Sequence, residues 1–369
     1  MTIGVDAFEA SVNKRVGVGR LAVEILKNLA TIDQRNHYRL YLPDKPLPDL
    51  PVESANWHYQ TTLTKRLWSQ ISLPLQLLKE RRDLDTFLSL SHYAPRLCPV
   101  PYTLFLLDLS FIYFPEMFRS QDLYKLVNWT RYSAAKATKI IAISQATKDD
   151  IIKFYKLKQA KIEVVYPGIM PVQKLDKNSS QVLKKYNVGI DYLLYVGTLQ
   201  PRKNLVRLIE VFAKIVKKYP HLKLVIAGKK GWLYEEIFQK TQVLALENKV
   251  IFTGFVADDD LPYLYSQAKA LILISLYEGF GFPVLEAMSY GTPVVCSNVS
   301  SLPEIAGEAA ILVDPTSNAK IEAGLLKVLS LSPQEKRYFQ EKGLIQAKKF
   351  TWQKAAEKTL AIIESTVKK

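Results

Sequence analysis

Cysteine is scarce in this sequence of 369 residues, and the two cysteines, Cys98 and Cys296, lie far apart. Two such positions provide neither a disulfide framework nor the short spacing of a zinc site. The sequence also lacks an apolar run of about 18 residues, so we expect no membrane span. No basic segment precedes an apolar core in the first residues, which argues against a secretory signal. We therefore expect a protein of the reducing cytoplasm, with a position at the inner face of the membrane left open.

Acidic residues are outnumbered, with 35 Asp and Glu against 50 Lys and Arg, a net charge of +15. A basic excess favours anionic partners such as diphosphate substrates, anionic lipid head groups or nucleic acid. The excess is spread over both halves of the chain. No basic stripe interleaved with aromatic residues, helix-turn-helix, zinc or RNA-recognition signature is visible, so we expect no nucleic-acid partner.

Short apolar runs alternate with helical periodicity along the whole chain. This alternation predicts an α/β protein with mostly parallel sheets. The first half should hold strands at 2–6, 38–42, 57–60, 86–90, 103–107, 139–143 and 162–165. The second half should hold strands at 192–197, 223–227, 249–253, 270–274, 293–297 and 310–313.

The break Pro167-Gly168 and the polar stretch after it mark a domain boundary. We predict an N-terminal domain at 1–170, a linker at 171–190, a C-terminal domain at 191–350 and a final helix at 351–369.

The most informative stretch is 277–288, which reads Tyr-Glu-Gly-Phe-Gly-Phe-Pro-Val-Leu-Glu-Ala-Met after a predicted strand. A strand, a glycine turn and a helix that begins near Pro283 direct backbone N–H groups toward the carboxyl edge of the sheet, where a diphosphate can bind. Glu278 and Glu286 flank this anion site, and their oxygens suit sugar hydroxyls. A purely structural turn is the alternative.

A second cationic feature follows the strand at 192–197. Arg202 and Lys203 lie at a strand-to-helix turn and can neutralise a diphosphate, arginine by a bidentate contact and lysine as a point charge. A solvated basic pair is the alternative. We expect replacement of Lys203 or Glu278 by alanine to reduce activity far more than stability.

The first half of the chain also has candidate binding residues in loops that follow predicted strands. Gly17 and Gly19 separate the first strand from a helix, as in nucleotide-binding units, although a simple tight turn fits equally well. His92 and Asp108 each follow a strand end, where side chains point into the crevice of a doubly wound sheet. His92 can bind a hydroxyl there or play an ordinary structural role.

Three local patterns have structural interpretations. The segment 64–82 places Leu67, Ile71, Leu75 and Leu78 on one helical face, which favours packing on the first sheet over a membrane-surface helix. Asp258 to Asp260 are expected to cap and start a helix rather than to bind a metal. Ser301 and Glu304 have the spacing of a capping box.

The segment 277–288 resembles the Glu-x7-Glu motif of the retaining nucleotide-sugar glycosyltransferases of group 1, family 4. Gly291 to Ser297, Leu302-Pro303-Glu304 and Val313-Asp314-Pro315 are also similar to that family. The resemblance implies the GT-B fold, two Rossmann-like domains that face each other across a cleft, with the last helix crossing back to the first domain. It also implies hexose transfer with retained configuration, no metal and no cofactor beyond the nucleotide sugar.

The same resemblance implies roles for individual residues. Glu278, Lys203, Arg202 and Asp108 are expected to be catalytic. Donor binding is expected from Gly17, Gly19, His92, Gly197, Thr198, Phe255, Gly279, Phe280, Gly281, Phe282, Leu285 and Glu286.

The chain departs from the family at two positions. Many relatives carry a histidine where this chain has Leu107, which puts the donor sugar or the rate in question and would leave Asp108, His92 or a backbone group to fill that role. Thr198 stands where relatives often carry arginine, so Lys203 is the firmer cation.

The motif Ser297-Asn298-Val299-Ser300-Ser301 is similar to that of members that use GDP-mannose. A mannosyltransferase that builds a surface polysaccharide or glycoconjugate on a saccharide or lipid-linked acceptor is the first expectation. A transferase that uses UDP-glucose or UDP-GlcNAc and a non-catalytic nucleotide-sugar-binding subunit are the alternatives. Peripheral contact with an anionic membrane is also open.

Overall fold

The computed structural model describes residues 1–13, 15, 17–62, 67–176 and 178–367. The chain divides into two compact units. The first contains Met1–Pro115, Ser120–Gly168 and Phe350–Lys369, and the second contains Glu116–Arg119 and Ile169–Lys349. Each unit is built on one parallel sheet with helices, which is a Rossmann-like arrangement.

The first unit alternates strands and helices along most of its length. Its elements are β1 Thr2–Asp6, α1 Val18–Ile32, β2 His37–Leu42, β3 Trp57–Thr61, α2 Leu73–Glu80, β4 Thr86–Ser89, β5 Tyr102–Leu106, α3 Ser110–Tyr113, α4 Ser120–Lys136, β6 Lys139–Ala142, α5 Gln145–Tyr155 and β7 Ile162–Val164. A π-helical turn, Trp68–Ser72, leads directly into α2.

The strand order of this sheet is β3-β2-β1-β4-β5-β6-β7, and each pair is parallel. The chain moves outward from β1 in one direction and from β4 in the other. The loops after β1 and β4 therefore diverge, which creates the crevice in which doubly wound sheets bind ligands.

The second unit repeats this plan. Its elements are α6 Ser179–Lys185, β8 Tyr192–Val196, α7 Leu205–Lys218, β9 Lys223–Ala227, α8 Glu235–Val243, β10 Val250–Gly254, α9 Leu261–Gln267, β11 Ala270–Leu273, α10 Phe282–Ser289, β12 Val294–Ser297, α11 Leu302–Ala306, β13 Ile311–Val313, α12 Asn318–Leu329 and α13 Pro333–Ala347. The strand order is β10-β9-β8-β11-β12-β13, so the direction changes between β8 and β11.

The predicted strands are confirmed, each to within one residue at either end. Their burial explains why the sequence shows them so clearly. Strands such as β5 and β11 are buried at every position, and strands covered on both faces have continuous apolar runs. The predicted fold class, α/β with two Rossmann-like domains, is likewise confirmed.

The last helix, α14, spans Trp352–Glu364 and belongs to the first unit. Its predicted apolar face is buried at Trp352, Ala355, Leu360 and Ile363. At its start the backbone approaches Gly168 so closely that a Cβ atom there would lie 2.1 Å from the Trp352 nitrogen. Glycine at position 168 therefore allows α14 to dock on its own unit.

Two segments differ from their predicted structure. The predicted linker contains helix α6, in which Val182 and Leu183 are buried, because two apolar residues suffice to anchor a short helix. In the helical segment before β4, the face with Leu67 and Ile71 does not pack on the sheet; the opposite face with Trp68 does. The predicted positions 64–66 lie outside the described residues.

Two predicted helix caps are also wrong. Asp260 precedes α9, but its side chain accepts hydrogen bonds from Lys185 Nζ at 2.6 Å and Tyr186 OH at 2.9 Å instead of from the helix backbone. Ser301 precedes α11 and likewise makes no capping hydrogen bond, since its hydroxyl is used elsewhere. In both cases a partner distant in sequence replaces the local one.

Across the described ranges, no helix combines the length and the apolar character needed to cross a membrane.

Candidate functional site

The direction change in the second sheet places two charged loops side by side. One loop follows β8 and carries Arg202 and Lys203 in a short 3-10 turn, Pro201–Lys203. The other follows β11 and carries Glu278. Because β8 and β11 are adjacent parallel strands, their carboxyl ends lie at the same edge. The predicted cations and the predicted glutamate therefore meet, although 75 residues separate Lys203 from Glu278.

Lys203 and Glu278 form a close ion pair, with Nζ at 2.6 Å from Oε1 and 2.8 Å from Oε2. Arg202 adds a longer contact of 3.5 Å from Nη1 to Oε2, and the same nitrogen donates to the Tyr277 carbonyl oxygen. The side chains of the pair are only 14% and 11% exposed. The basic pair is therefore not a solvated surface feature.

The electrostatics of this cluster favour a bound anion. Burial acts to raise the pKa of Glu278, but the charges of Lys203 and Arg202 outweigh burial and hold its pKa below the usual value. Glu278 is consequently ionised at neutral pH. Two cations and one carboxylate leave an excess positive charge in a poorly hydrated site, where charge interactions are strong.

A shell of small polar side chains fixes the Glu278 loop. Ser275 Oγ donates to Glu278 Oε1 at 2.6 Å, and the Glu278 N–H donates to Ser300 Oγ at 2.9 Å. Ser301 Oγ lies 2.9 Å from the Glu278 carbonyl oxygen and 2.8 Å from that of Phe280. These three serines were not predicted as site residues, although Ser300 and Ser301 belong to the motif 297–301 that resembles members using GDP-mannose.

The loop after β8 is tied to the same place. Asn204 adopts the left-handed conformation with φ 61°, and its amide donates to the Ile274 carbonyl oxygen at 3.1 Å and that of Pro315 at 2.8 Å. The Leu276 N–H donates to the Arg202 carbonyl oxygen at 2.9 Å. One backbone hydrogen bond and the Asn204 side chain therefore hold the two charged loops together independently of the ion pair.

Helix α10 begins directly after the glycine turn, with Pro283 in its first turn as predicted. Gly281 precedes the helix with φ 110°, a conformation that other residues rarely adopt. Gly279 and Phe280 are buried, and Phe282 is half-buried. The positive end of the α10 dipole therefore starts within a few residues of Glu278.

The side chain of Leu285 is completely buried, so its predicted donor contact stays a prediction that only its backbone could fulfil. One turn into α10, Leu285 packs into the core beneath the helix. Glu286, the next residue, is half-buried and accepts a hydrogen bond from Tyr265 OH at 2.7 Å through Oε2. The tyrosine thus orients the carboxylate.

The remaining predicted residues of the second unit lie at the carboxyl ends of β8 and β10. Gly197 has φ 154° and follows β8, and Thr198 is half-buried beside it. Phe255 follows β10 with 49% of its surface exposed. Exposure of a ring at this edge makes it accessible to a ligand. The predicted residues of the second unit thus remain candidates, Leu285 through its backbone alone.

The other predicted residues belong to the first unit. Gly17 precedes α1 with φ 45°, whereas Gly19 lies inside α1 and not in the predicted loop. A Cβ at Gly19 would meet the Glu9 carbonyl oxygen at 2.9 Å, so this glycine permits close packing of α1 on the preceding turn. His92 has an edge contact with the Phe111 ring at 6.2 Å.

Asp108 has a structural function in the loop after β5. Its Oδ1 accepts hydrogen bonds from the Ser110 N–H at 3.0 Å and from Ser110 Oγ at 2.7 Å, which orders the start of α3. The adjacent Leu107 is buried, and its carbonyl oxygen accepts a hydrogen bond from Thr147 Oγ1 at 3.3 Å.

A buried carboxyl group at the crevice of the first sheet was not predicted. Asp6 ends β1, and its Oδ1 accepts hydrogen bonds from the Phe8 N–H at 3.1 Å and from Trp68 Nε1 at 3.0 Å. Burial raises the pKa of Asp6 to about 6 despite these bonds. Burial and the nearby Asp6 also raise the pKa of Glu9.

The raised pKa of Asp6 predicts a specific dependence of stability on pH. The folded state binds this proton more tightly than the unfolded state, so the contribution of Asp6 to the free energy of unfolding should fall by about 3 kcal/mol as the pH rises from about 4 to above 6. Asp6→Asn keeps an acceptor oxygen and removes the titration. Urea unfolding at both pH values should show that the variant lacks this decrease. Asp122→Asn, an exposed carboxyl in α4, is the matched control and should behave like the wild type; an unchanged pH dependence in Asp6→Asn would contradict the assignment.

No group of three or more His, Cys, Asp or Glu side chains in the described part of the chain is arranged to hold a metal ion. Asp258 to Asp260, the one acidic run that the sequence singled out, therefore forms no such group.

Two family models match the chain in succession. Residues 17–172 match the model described as Glycosyltransferase Family 4, and residues 179–344 match Glycosyl transferases group 1. The first match includes β2 to β7 of the first sheet, and the second includes β8 to β13 of the second sheet. Solved structures share this fold: a crystal structure of Anabaena Alr3699/HepE in complex with UDP and glucose has a TM-score of 0.77 at 20% identity and 99% coverage of both chains.

Two curated relatives illustrate the sequence similarity. The O-antigen chain mannosyltransferase B of Escherichia coli is 29% identical over 366 residues, which cover 93% of this chain and 94% of that protein. The serotype-specific mannosyltransferase WbdA of Escherichia coli is 30% identical over 252 residues, 65% of this chain but only 29% of WbdA.

Fold and site together define a transferase of the GT-B class. The chain belongs to the group 1 glycosyltransferases of family 4.

Proposed function

We propose that this glycosyltransferase transfers mannose from GDP-mannose to a hydroxyl group of a saccharide or lipid-linked acceptor, with retention of configuration, in the synthesis of a surface polysaccharide. The observation that carries the proposal is the buried cluster of Lys203, Arg202 and Glu278 at the direction change of the second sheet. The mannosyltransferase names of two relatives support the choice of sugar.

The chemistry of the proposal follows from the charges. The bond between the sugar C1 and the diphosphate oxygen breaks, C1 forms a bond to the acceptor oxygen, and the acceptor proton passes to the leaving phosphate. Negative charge grows on the diphosphate as the bond breaks. Lys203, Arg202 and the N-terminal amides of α10 would stabilise this charge because they are held in place before the reaction. These groups would fill the role that a metal ion or other cofactor fills elsewhere.

The two glutamates would hold the sugars at either side of the diphosphate. Glu278 would accept hydrogen bonds from hydroxyl groups of the transferred hexose, and its contact with Lys203 would couple sugar and phosphate binding. Glu286, oriented by Tyr265, would accept hydrogen bonds from the ribose. Exposed Phe255 would border the base. His92 and Gly17 of the first unit are proposed for hydroxyl and phosphate contacts.

Calorimetric titration with GDP-mannose, UDP-glucose and UDP-GlcNAc tests the donor. We expect GDP-mannose to bind at least about tenfold more tightly, which corresponds to about 1.4 kcal/mol. A parallel assay should follow GDP release with and without added saccharide acceptors. If a UDP-sugar bound more tightly and was turned over, the proposed donor would be wrong, but the assignment of the transferase site would still hold.

Replacing Glu286 by alanine tests the ribose contact. Loss of a charge-assisted hydrogen bond should weaken donor binding by about 10- to 100-fold, since such bonds contribute about 1.5–3 kcal/mol. Glu247→Ala removes an exposed carboxylate of the same unit and should bind the donor as the wild type does. Titration with each nucleotide sugar and with free GDP measures the effect, and equal affinity of Glu286→Ala for GDP would refute the ribose contact.

A further inference from the structure

The helical segment before β4 has an apolar face that points away from its own sheet. Leu67 immediately precedes the π-helical turn with φ 50°, and Ile71, Leu75 and Leu78 follow at intervals of four and three residues along the outer side of the segment. Their exposed fractions are 54%, 47%, 56% and 36%. These four residues are called the exposed stripe.

The opposite face of the same segment already fills the core. Trp68, Leu73 and Leu77 are buried there, and the Trp68 indole donates to Asp6 at 3.0 Å. The segment is therefore anchored to the first sheet without any contribution from the exposed stripe. Four large aliphatic side chains on the outer face are not explained by folding of this unit.

A loop next to the helical segment exposes a further apolar side chain. Arg96 donates its backbone N–H to the Ser69 carbonyl oxygen at 3.3 Å, so this loop lies against the start of the helical segment. The next residue, Leu97, is 62% exposed. The Arg96 guanidinium lies 5.5 Å from the centre of the Tyr132 ring, and Tyr132 OH donates to the Arg96 carbonyl oxygen at 3.1 Å. This loop therefore combines an exposed apolar side chain with a neighbouring cation.

Positive charge dominates the outer end of the stripe. Lys79, Arg81 and Arg82 are exposed there. Each neighbouring carboxylate has a partner in the protein: Glu80 accepts from Arg39 at 2.6 Å, and Asp85 accepts from the Thr2 N–H at 2.7 Å. Asp83, with a side chain 66% exposed, lies 3.9 Å from Arg39. Within the described part of the chain, Lys79, Arg81 and Arg82 have no such partner, so these cations are the groups most accessible to an anionic surface.

We propose that the exposed stripe docks on an anionic lipid bilayer, with the helical segment lying in the plane of the interface. The segment Trp68–Glu80 comprises a π-helical turn of 5 residues and an α-helix of 8 residues, and its exposed apolar side chains lie opposite its buried face and before its basic end. Leu67, Ile71 and Leu75 insert among the head groups, while Arg81 and Arg82 contact lipid phosphates. The docking does not depend on the identity of the donor sugar.

Charge favours a lipid surface over a protein partner for this stripe. Aliphatic side chains flanked by Lys and Arg, in a protein of net charge +15, match both components of an anionic bilayer. Aromatic residues, which are enriched at protein interfaces, are missing from the exposed stripe itself.

Vesicle flotation with the full chain tests the proposal. We expect binding to vesicles of phosphatidylcholine with about 30 mol % phosphatidylglycerol, and at least about tenfold weaker binding to pure phosphatidylcholine. Raising the salt to about 0.5 M should weaken binding severalfold through screening. Ile71→Ser/Leu75→Ser should reduce binding to the anionic vesicles by about tenfold or more.

Two matched control variants distinguish binding by the exposed stripe from nonspecific binding by other apolar or basic surfaces. Leu344→Ser/Ile345→Ser removes exposed aliphatic side chains from α13, and Lys354→Gln/Lys358→Gln removes exposed cations from α14. Both should bind like the wild type, whereas Arg81→Gln/Arg82→Gln should bind weakly and lose most of the salt dependence.

A fluorescent label on Leu75→Cys provides a readout that does not depend on loss of binding. Its emission should shift to the blue with anionic vesicles, while a label on Val243→Cys of the second unit should not shift.

Equal flotation of the stripe variant and the wild type, or no blue shift at position 75, would overturn the proposal. So would self-association in solution that the stripe variant abolishes, because the stripe would then bind a second copy of the chain. Donor titration of the stripe variant should match the wild type, which keeps this test independent of the proposed function.

Discussion

Replacing Lys203 by methionine should reduce sugar transfer by about 10²- to 10³-fold, the typical effect of removing one preorganised charge donor from an active site. Methionine keeps most of the volume of the lysine stem but cannot hydrogen-bond Glu278 or a diphosphate. Steady-state rates and single-turnover rates with saturating donor should fall together, because the lost interaction strengthens as the leaving group gains charge.

The same substitution should also destabilise the protein by about 3–5 kcal/mol, because it leaves a buried carboxylate without its main cation. Lys203 and Glu278 are each nearly inaccessible, and Nζ contacts both carboxylate oxygens. The sequence alone predicted a far larger effect on activity than on stability, and the burial of the pair changes that expectation. Urea unfolding at neutral pH measures the loss.

A double variant separates the two effects. Lys203→Met/Glu278→Gln removes both charges of the close ion pair, while Arg202 keeps its hydrogen bond to the Tyr277 carbonyl oxygen and Ser275 can still donate to the Gln oxygen. We expect it to recover most of the lost stability and none of the lost activity. Lys214→Met, which removes an exposed lysine 3.5 Å from Glu322, should change neither property. If the double variant were as unstable as Lys203→Met, the ion pair would not be the source of the stability loss.

Replacing Gly228 by alanine should have the largest effect on stability of any single methyl addition in the second sheet. Gly228 has φ 156°, and a Cβ there would lie 1.9 Å from the Gly197 carbonyl oxygen. Backbone cannot yield as a flexible side chain can, so we expect a loss of about 3 kcal/mol or more. The shift would displace the loop after β8, which carries Lys203, and donor affinity should fall with stability.

Two other glycines provide matched controls for this substitution. Gly254 ends the neighbouring strand with φ 69° and open space around its Cβ position, so Gly254→Ala should lose only about 1 kcal/mol from backbone strain. Gly189 has open space and no positive φ, so Gly189→Ala should be nearly neutral. Thermal and urea unfolding of all three variants rank the losses. A ranking in which Gly228→Ala matches Gly189→Ala would contradict the close approach of the two loops.

The strands and the anion-binding turn could be predicted from the sequence because their signals are local. Buried parallel strands have continuous apolar runs, and a glycine turn before Pro283 marks a helix start after a strand. For Lys203 and Glu278, the sequence could predict only that both residues lie on loops at the same edge of the sheet. Their direct ion pair depends on strand order, which no local pattern contains.

Predictions from local sequence patterns were wrong where a side chain forms hydrogen bonds with residues distant in sequence. Ser301 has the spacing of a capping box, but its hydroxyl contacts the carbonyl oxygens of Glu278 and Phe280 instead. The helical segment before β4 has apolar residues on both faces, so periodicity could not decide which face packs inward. Trp68 decides it, because its indole reaches the buried Asp6.

A crystal structure with bound GDP-mannose or its non-hydrolysable analogue tests the central claim most directly. The account predicts the diphosphate within hydrogen-bonding distance of Lys203 Nζ and of the backbone N–H groups that start α10, with hexose hydroxyls on Glu278 and ribose hydroxyls on Glu286. A donor bound elsewhere, with the Lys203–Glu278 pair facing no part of the ligand, would contradict it.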